Sequence, residues 1–508
     1  MGDRFYVTTP IYYVNDIPHI GHAYTTVAAD AAARYHRLRG EDVRFLTGTD
    51  EHGQKNLRAA EARGLDPQAY VDSIIDEWKN LWPLLDISND DFIRTTESRH
   101  IEPVQEFWRR LKESGDVYLG SYEGLYCVPC EDFYKESDLI EGNCPTHGRP
   151  VERVAEENYF FRLSKYSDWL LNEYLARDPA PVAPAARLNE VRAFVAGGLQ
   201  DISISRTSFS WGIPLPWDPK HVIYVWVEAL LNYITALGYP DGANFKAFWP
   251  GVNLVGKDIL RFHAVTWPAM LHAAGIDPPA LVFAHGYLLV GGEKMSKTKL
   301  TGIHPSQLLD AFGSDAYRYY FLREISFGQD GSFSWESLVA RTNAELANGI
   351  GNLAARVLAL IETTFGGVVP EAKELDAERA VRAVAERSVT EYEEALDHFA
   401  FSDALEAVDK IVRHVNGYLV EQAPWKLAKE PGNEERVATI LWCAAETLRL
   451  LAILLSPFTP RACTRLWDAL GLPGRVEEQR FPGAVRWGGL PAGARVTKGE
   501  SLFPRIDT

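Results

Sequence analysis

The sequence predicts an α/β protein with a parallel central sheet, interrupted by a cysteine-bearing insertion and followed by an all-helical domain. Three features predict it. Short apolar runs at residues 5–9, 43–47, 252–255 and 281–286 alternate with helical stretches, as βαβ units do. Cys127, Cys130, Cys144 and His147, spaced Cys-x2-Cys-x13-Cys-x2-His, fall where that alternation gives way to short strands and turns. From residue 343 to about 470 a helical period takes over.

Bulk properties agree with a large multidomain globular protein. A chain of 508 residues suits three or four domains, and 46% hydrophobic with 24% charged residues is ordinary globular composition. The net charge of −17 excludes a globally basic nucleic-acid binder and leaves room only for a local basic groove. Asp3 and Arg4 precede a short apolar stretch with no signal-peptide core. The most apolar run, 448–455, carries Arg449 and reads as a core helix, so no membrane partner is expected. Five cysteines, three of them clustered, point to a reducing, cytoplasmic setting.

In the first part of the sheet, strand 5–9 leads through Pro10–His22 into an alanine-rich helix, 23–39, which stops at Gly40. A loop delivered to a helix N-terminus is an anion site, because the first N–H groups there lack helical partners. Gly21 removes a side chain where a base or ribose could lie on the backbone, and His19 and His22 can face one phosphate. The strand at 43–47 runs into Gly48–Gly53, at the carboxyl end where parallel sheets bind ligands. Asp50 there suits a substrate ammonium, and equally the cap of a helix at 52–63. Residues 65–115 read as helical, with Trp78, Trp82, Phe107 and Trp108 in the core.

The cysteine–histidine spacing of the insertion, residues 116–221, suits a closed tetrahedral site and hence one structural Zn²⁺. Pro179–Pro184 reads as a stiff connector. Beyond it, strand 222–227 continues as helix 229–237, placing Trp226, Ala229 and Tyr233 on one face. The next strand ends at Gly256-Lys257-Asp258, and helix 259–272 puts Ile259 and His263 on one face. Strand 281–286 ends in His285 and Gly286, before a glycine-flanked loop, Lys294-Met295-Ser296-Lys297-Thr298, whose lysines can approach triphosphate charge. Helices at 344–365, 380–397, 402–423 and 434–455 suit an antiparallel bundle. Asn352 and Arg356 share a helical face, and Trp425, near Lys426 and Lys429, offers a platform for a splayed base.

His19-Ile20-Gly21-His22 and Lys294–Thr298 together resemble the HIGH and KMSKS signatures of class I aminoacyl-tRNA synthetases, and Pro10-Ile11-Tyr12-Tyr13-Val14-Asn15 resembles the methionyl branch. The resemblance extends over nearly the whole chain. Thr298 departs from the usual serine. The resemblance implies a Rossmann-type catalytic domain (1–115 and 222–303) with an inserted zinc-knuckle connective domain (116–221). It also implies a stem-contact linker (304–345), an anticodon-binding bundle (346–470) and a closing peptide (471–508). The implied reaction is ATP-dependent ligation of L-methionine to tRNA(Met) through methionyl-adenylate, with Mg²⁺ on the phosphates.

By the same resemblance, His19, His22, Lys294 and Lys297 are catalytic. ATP falls to these residues together with Gly21, Gly256, Asp258, His285 and Gly286. Methionine falls to Ile11, Tyr13, Asp50, Trp226, Ala229, Tyr233, Ile259 and His263, with Tyr13 and His263 as weak donors beside a polarizable sulfur. Asn352, Arg356 and Trp425 match anticodon-reading positions. Relatives that dimerise do so through a C-terminal appendage, so a monomer is expected. A synthetase for another apolar amino acid or cysteine, a tRNA-independent adenylyltransferase and a non-catalytic tRNA-binding paralogue are the alternatives.

Overall fold

Parallel strands buried on both faces read as continuous apolar runs. In the computed structural model such runs build a seven-stranded sheet paired in parallel throughout. The structure describes residues 3–506 other than 16, 128–131, 135, 146–147, 291–292, 295–303 and 374. In order come β1 (Arg4–Thr8), β2 (Tyr12–Tyr13), α1 (Ile20–Leu38) and β3 (Asp42–Asp50). β1 pairs with β3 on one side and with the strand Val252–Gly256 on the other, and Leu281–His285 follows outward. The strand order therefore reverses between β1 and Val252–Gly256, and a crevice opens beyond their carboxyl ends. The loop after each of those strands carries predicted site residues.

Three departures from the predicted elements bear on the main sheet and the site. Between α3 (Pro67–Leu84, which follows α2, Gln54–Glu61) and α4 (Ser98–Glu113) lies a strand, β4 (Asp91–Arg94), paired with β3. Four residues flanked by amphipathic helices leave too short a trace to break a helical pattern. Their pairing needs Gly48, since a Cβ there would sit 2.1 Å from the Ile93 carbonyl oxygen. The run at 222–227 is not one strand. Asp218–Ile223 is extended, in a small antiparallel sheet outside the main one, and Val225–Ala229 is helical. A short apolar run cannot distinguish a buried strand from a buried helix. Finally, Val182–Ala183 of the supposed connector pairs with Val282 and Phe283 as an edge strand of the main sheet.

The insertion is built on a long antiparallel pair, Val117–Cys127 with Glu152–Phe161. The helical half contains Asn352–Phe365, Asp376–Asp397, Phe401–Gln422, Glu434–Leu455 and Pro460–Ala469. Glu434–Leu455 is apolar and long enough to cross a membrane, but almost all of it is buried among the other helices.

One buried arginine joins the two halves. Arg318, on the helix Pro305–Glu324, donates to Asp30 Oδ2 of α1 (2.6 Å), to the Leu85 carbonyl (3.0 Å), and to the Pro457 and Phe458 carbonyls of the bundle (2.7 and 3.1 Å). Burial alone would raise the Asp30 pKa. The guanidinium groups of Arg34 and Arg318, with two hydrogen bonds from Ser88, outweigh it and hold it at about 2. Arg318→Met strips that buried carboxylate of a partner and leaves three carbonyls short of a donor. We expect a loss of about 3–5 kcal/mol, read as a lower urea midpoint.

Candidate active site

The histidines that open α1 cap it themselves. His19 Nδ1 accepts the Gly21 N–H (3.1 Å), and His22 Nδ1 accepts the His19 N–H (3.2 Å), a reciprocal capping box made by imidazoles. A neutral ring that accepts at Nδ1 carries its proton on Nε2. Both rings are thus set as Nε2–H donors, stacked with centroids 3.7 Å apart, and both line a cleft of ≈ 340 Å³. Gly21, Gly256, Asp258, His285 and Gly286 line the same cleft. His285 contributes as a wall: its Nδ1–H donates to the Gly286 carbonyl and its Nε2 accepts the Thr25 hydroxyl, each at 2.8 Å. Burial pushes its pKa down, so it stays neutral. A Cβ on Gly286 would sit 2.2 Å from the Gln329 backbone, so this corner closes only around glycine.

A second cavity, ≈ 130 Å³, adjoins the first and shares Pro10, Ile11, Tyr13 and Ile259 with it. It is lined by all eight residues that the resemblance assigns to methionine: Ile11, Tyr13, Asp50, Trp226, Ala229, Tyr233, Ile259 and His263. Asp50 is not a helix cap. α2 begins at Gln54 after Gly53, and the Asp50 carboxylate belongs to the cavity wall at the end of β3. The expectation that His263 offers a donor to the sulfur is corrected by its hydrogen bonds. Nδ1 lies 3.0 Å from the Ile259 carbonyl and must donate to it, so Nε2 accepts from the Tyr233 hydroxyl at 2.7 Å. Burial lowers the His263 pKa to about 4. The ring is therefore a neutral acceptor that fixes Tyr233.

Lys294 lies on the short strand Glu293–Lys294, paired with Leu288–Val290, which leaves the rim of the larger cleft at Tyr287 and Leu288. Lys297 lies outside the described residues, as do Cys130 and His147. Cys127 ends the strand from Val117, and the Cys144 carbonyl accepts the Gly148 N–H at 2.8 Å. Both cysteines are fully buried. In the bundle, Arg356 stacks its guanidinium 5.0 Å from the Trp425 ring centroid, and Asn352 stands one turn before it on the same helix.

Sequence reasoning missed Pro10, Leu230, Asn232 and Phe262 in the smaller cavity, and Tyr12, Asn15, Tyr24, Thr25, Lys55, Tyr287 and Leu288 in the larger. Phe262 was within reach, three residues after Ile259 on the same helical face. Lys55, whose ammonium stands 4.8 Å from the Tyr13 ring centroid, carries no local signal.

The family model described as class I tRNA synthetases (M) matches residues 5–154 and 147–358, and that for the anticodon-binding domain of methionyl tRNA ligase matches 369–508. The methionine–tRNA ligase of Streptomyces coelicolor is 54% identical over 99% of this chain and 97% of its own length. That of Bacillus subtilis is 45% identical over 100% of this chain and 78% of its own. A solved structure of Mycobacterium tuberculosis methionyl-tRNA synthetase in complex with methionyl-adenylate superposes with a TM-score of 0.95 at 44% identity, covering 99% of this chain and 100% of that one. Its apo form gives 0.89 at 41% identity, covering 100% of this chain and 99% of that one. With catalytic and anticodon-domain models matched along its length, and a relative 54% identical over nearly the full length of both chains, the chain belongs to the methionyl-tRNA synthetases of class I.

Proposed function

We propose that the protein joins L-methionine to tRNA(Met), using the smaller cavity for the amino acid and the larger for ATP. The observation that carries this reading is their junction: an amino-acid-sized cavity holding Asp50 opens beside a cleft holding His19 and His22. In this arrangement Asp50 takes the ammonium and the aromatic and aliphatic walls take the thioether. The methionine carboxylate then attacks the α-phosphorus of ATP in line, and pyrophosphate leaves. Nε2–H of His19 and His22 stabilises the charge growing on the α-phosphate oxygens, while Lys294 and Lys297 serve the departing pyrophosphate. Mg²⁺, when bound, neutralises phosphate charge. The adenylate next yields its methionyl group to the terminal ribose of tRNA, releasing AMP.

Cys127 and Cys144, both fully buried, fit two corners of a structural Zn²⁺ site that Cys130 and His147 would complete. Asn352, Arg356 and Trp425 form the proposed anticodon plate.

Exchange of labelled pyrophosphate into ATP, run with each amino acid in turn, tests the reading. Methionine alone should support fast exchange; equal exchange with leucine or cysteine would refute it. Trp425→Ala should leave exchange unchanged while lowering kcat/KM for tRNA charging by roughly one to two orders of magnitude, the worth of a stacked base. Equal loss of both activities would assign Trp425 to the core instead.

A further inference from the structure

Behind the smaller cavity lies a buried charged cluster that the reaction does not use. Glu228 is fully buried, and its Oε1 accepts from His52 Nδ1 (3.2 Å) and from His100 Nε2 (3.1 Å). The other nitrogen of His100 bonds the Thr235 hydroxyl at 2.8 Å. Both imidazoles thus meet the carboxylate on a single oxygen as hydrogen-bond donors. Burial would push the Glu228 pKa up, yet the two imidazoles outweigh it and the net direction is down, so the carboxylate stays ionised.

The partners matter for where they sit. His52 follows Asp50 by two residues on the segment leaving β3. Glu228 lies between Trp226 and Ala229 on the helix Val225–Ala229. Thr235 ends the short helix that carries Asn232 and Tyr233. Each therefore backs a different cavity wall, and His100, on α4, reaches in from outside. The Asp50 segment is clamped further: Asn56 Nδ2 donates to the Asp50 and His52 carbonyls (3.0 and 3.1 Å), and Trp211 Nε1 to the Glu51 carbonyl (2.7 Å). Well-packed apolar residues can replace a buried ion cluster with neutral or favourable effect on stability. Fold stability alone gives little reason for a carboxylate here.

We propose that Glu228 is a positioning residue for amino-acid recognition: by holding His52 and His100 on one oxygen, it fixes the Asp50 segment against the Trp226 helix. It thereby sets the distance between the ammonium end and the thioether end of the cavity. The inference rests on the assignment of that cavity to methionine.

Steady-state pyrophosphate exchange on the full chain tests it, with Glu228→Met removing the acceptor at similar volume and Glu228→Gln keeping one. Loss of the brace misplaces one wall relative to the other, and Glu228→Met should raise the methionine KM about tenfold. The ATP KM and kcat at saturating methionine should stay near wild type, and Glu228→Gln should recover most of the loss. A rise below threefold in Glu228→Met, a parallel fall in kcat, or a Gln variant no better than Met would overturn the brace. If Glu228→Met does not fold, His100→Gln carries the test. A methionine KM at least threefold above wild type at unchanged ATP KM supports the proposal, and a smaller rise overturns it. Failure of the cavity assignment itself would show separately, as wild-type exchange indifferent to methionine.

Discussion

His22→Ala should cut methionine-dependent pyrophosphate exchange by about 10²–10³-fold, the usual cost of removing one preorganised donor from a site of developing negative charge. Preorganisation is visible in the capping bonds. His22 Nδ1 is occupied by the His19 N–H, so the ring cannot turn that nitrogen to a phosphate without undoing the helix start. An Nδ1 that accepts leaves the proton of the neutral ring on Nε2. Stacking on His19 at 3.7 Å makes the two rings one unit, so removal of either should cost nearly as much as removal of both. Methionine binding, followed by equilibrium titration without ATP, should change little. If exchange in His22→Ala stays within threefold of wild type, the histidines are helix caps and no more.

The second large effect falls on the amino acid. Asp50→Ala should raise the methionine KM by between about 10²-fold and about 4 × 10³-fold, because removing one partner of a buried ion pair costs roughly 3–5 kcal/mol. Asp50 is only 4% exposed, so water does little to replace it. Its backbone is fixed by the pairing of Tyr13 with Asp50 and by Asn56, and truncation removes charge without releasing the segment. ATP affinity should be unchanged, which separates this variant from His22→Ala. A parallel weakening of both substrates would move Asp50 from recognition to architecture. The neighbouring His263, with its pKa lowered to about 4, remains uncharged through the neutral range and adds no second charge at the thioether end.

Much of this was legible in the residues. Strong periodicity located the long helices closely: Glu434–Leu455 spans the predicted residues and Phe401–Gln422 differs by one at each end. Gly40, with φ +81°, ends α1 where a glycine stop was read. Residues more than two hundred positions apart, such as Tyr13 and Ile259, line one cavity because each stands just beyond a strand of the same parallel sheet. Strand order at the β1 junction accounts for that meeting, and the alternating pattern of strands and helices already implied it.

Chain pattern alone determined which segments are buried, where the regular elements begin, and which residue types stand at the strand ends. Tertiary structure decided the rest. It turned 225–229 into helix, recruited Asp91–Arg94 and Val182–Ala183 into the sheet, made His263 an acceptor, and gathered His52, His100 and Glu228 around one oxygen. Local sequence reports how a residue faces its own element. The direction of a hydrogen bond, or the fate of a buried charge, depends on atoms supplied by another part of the chain.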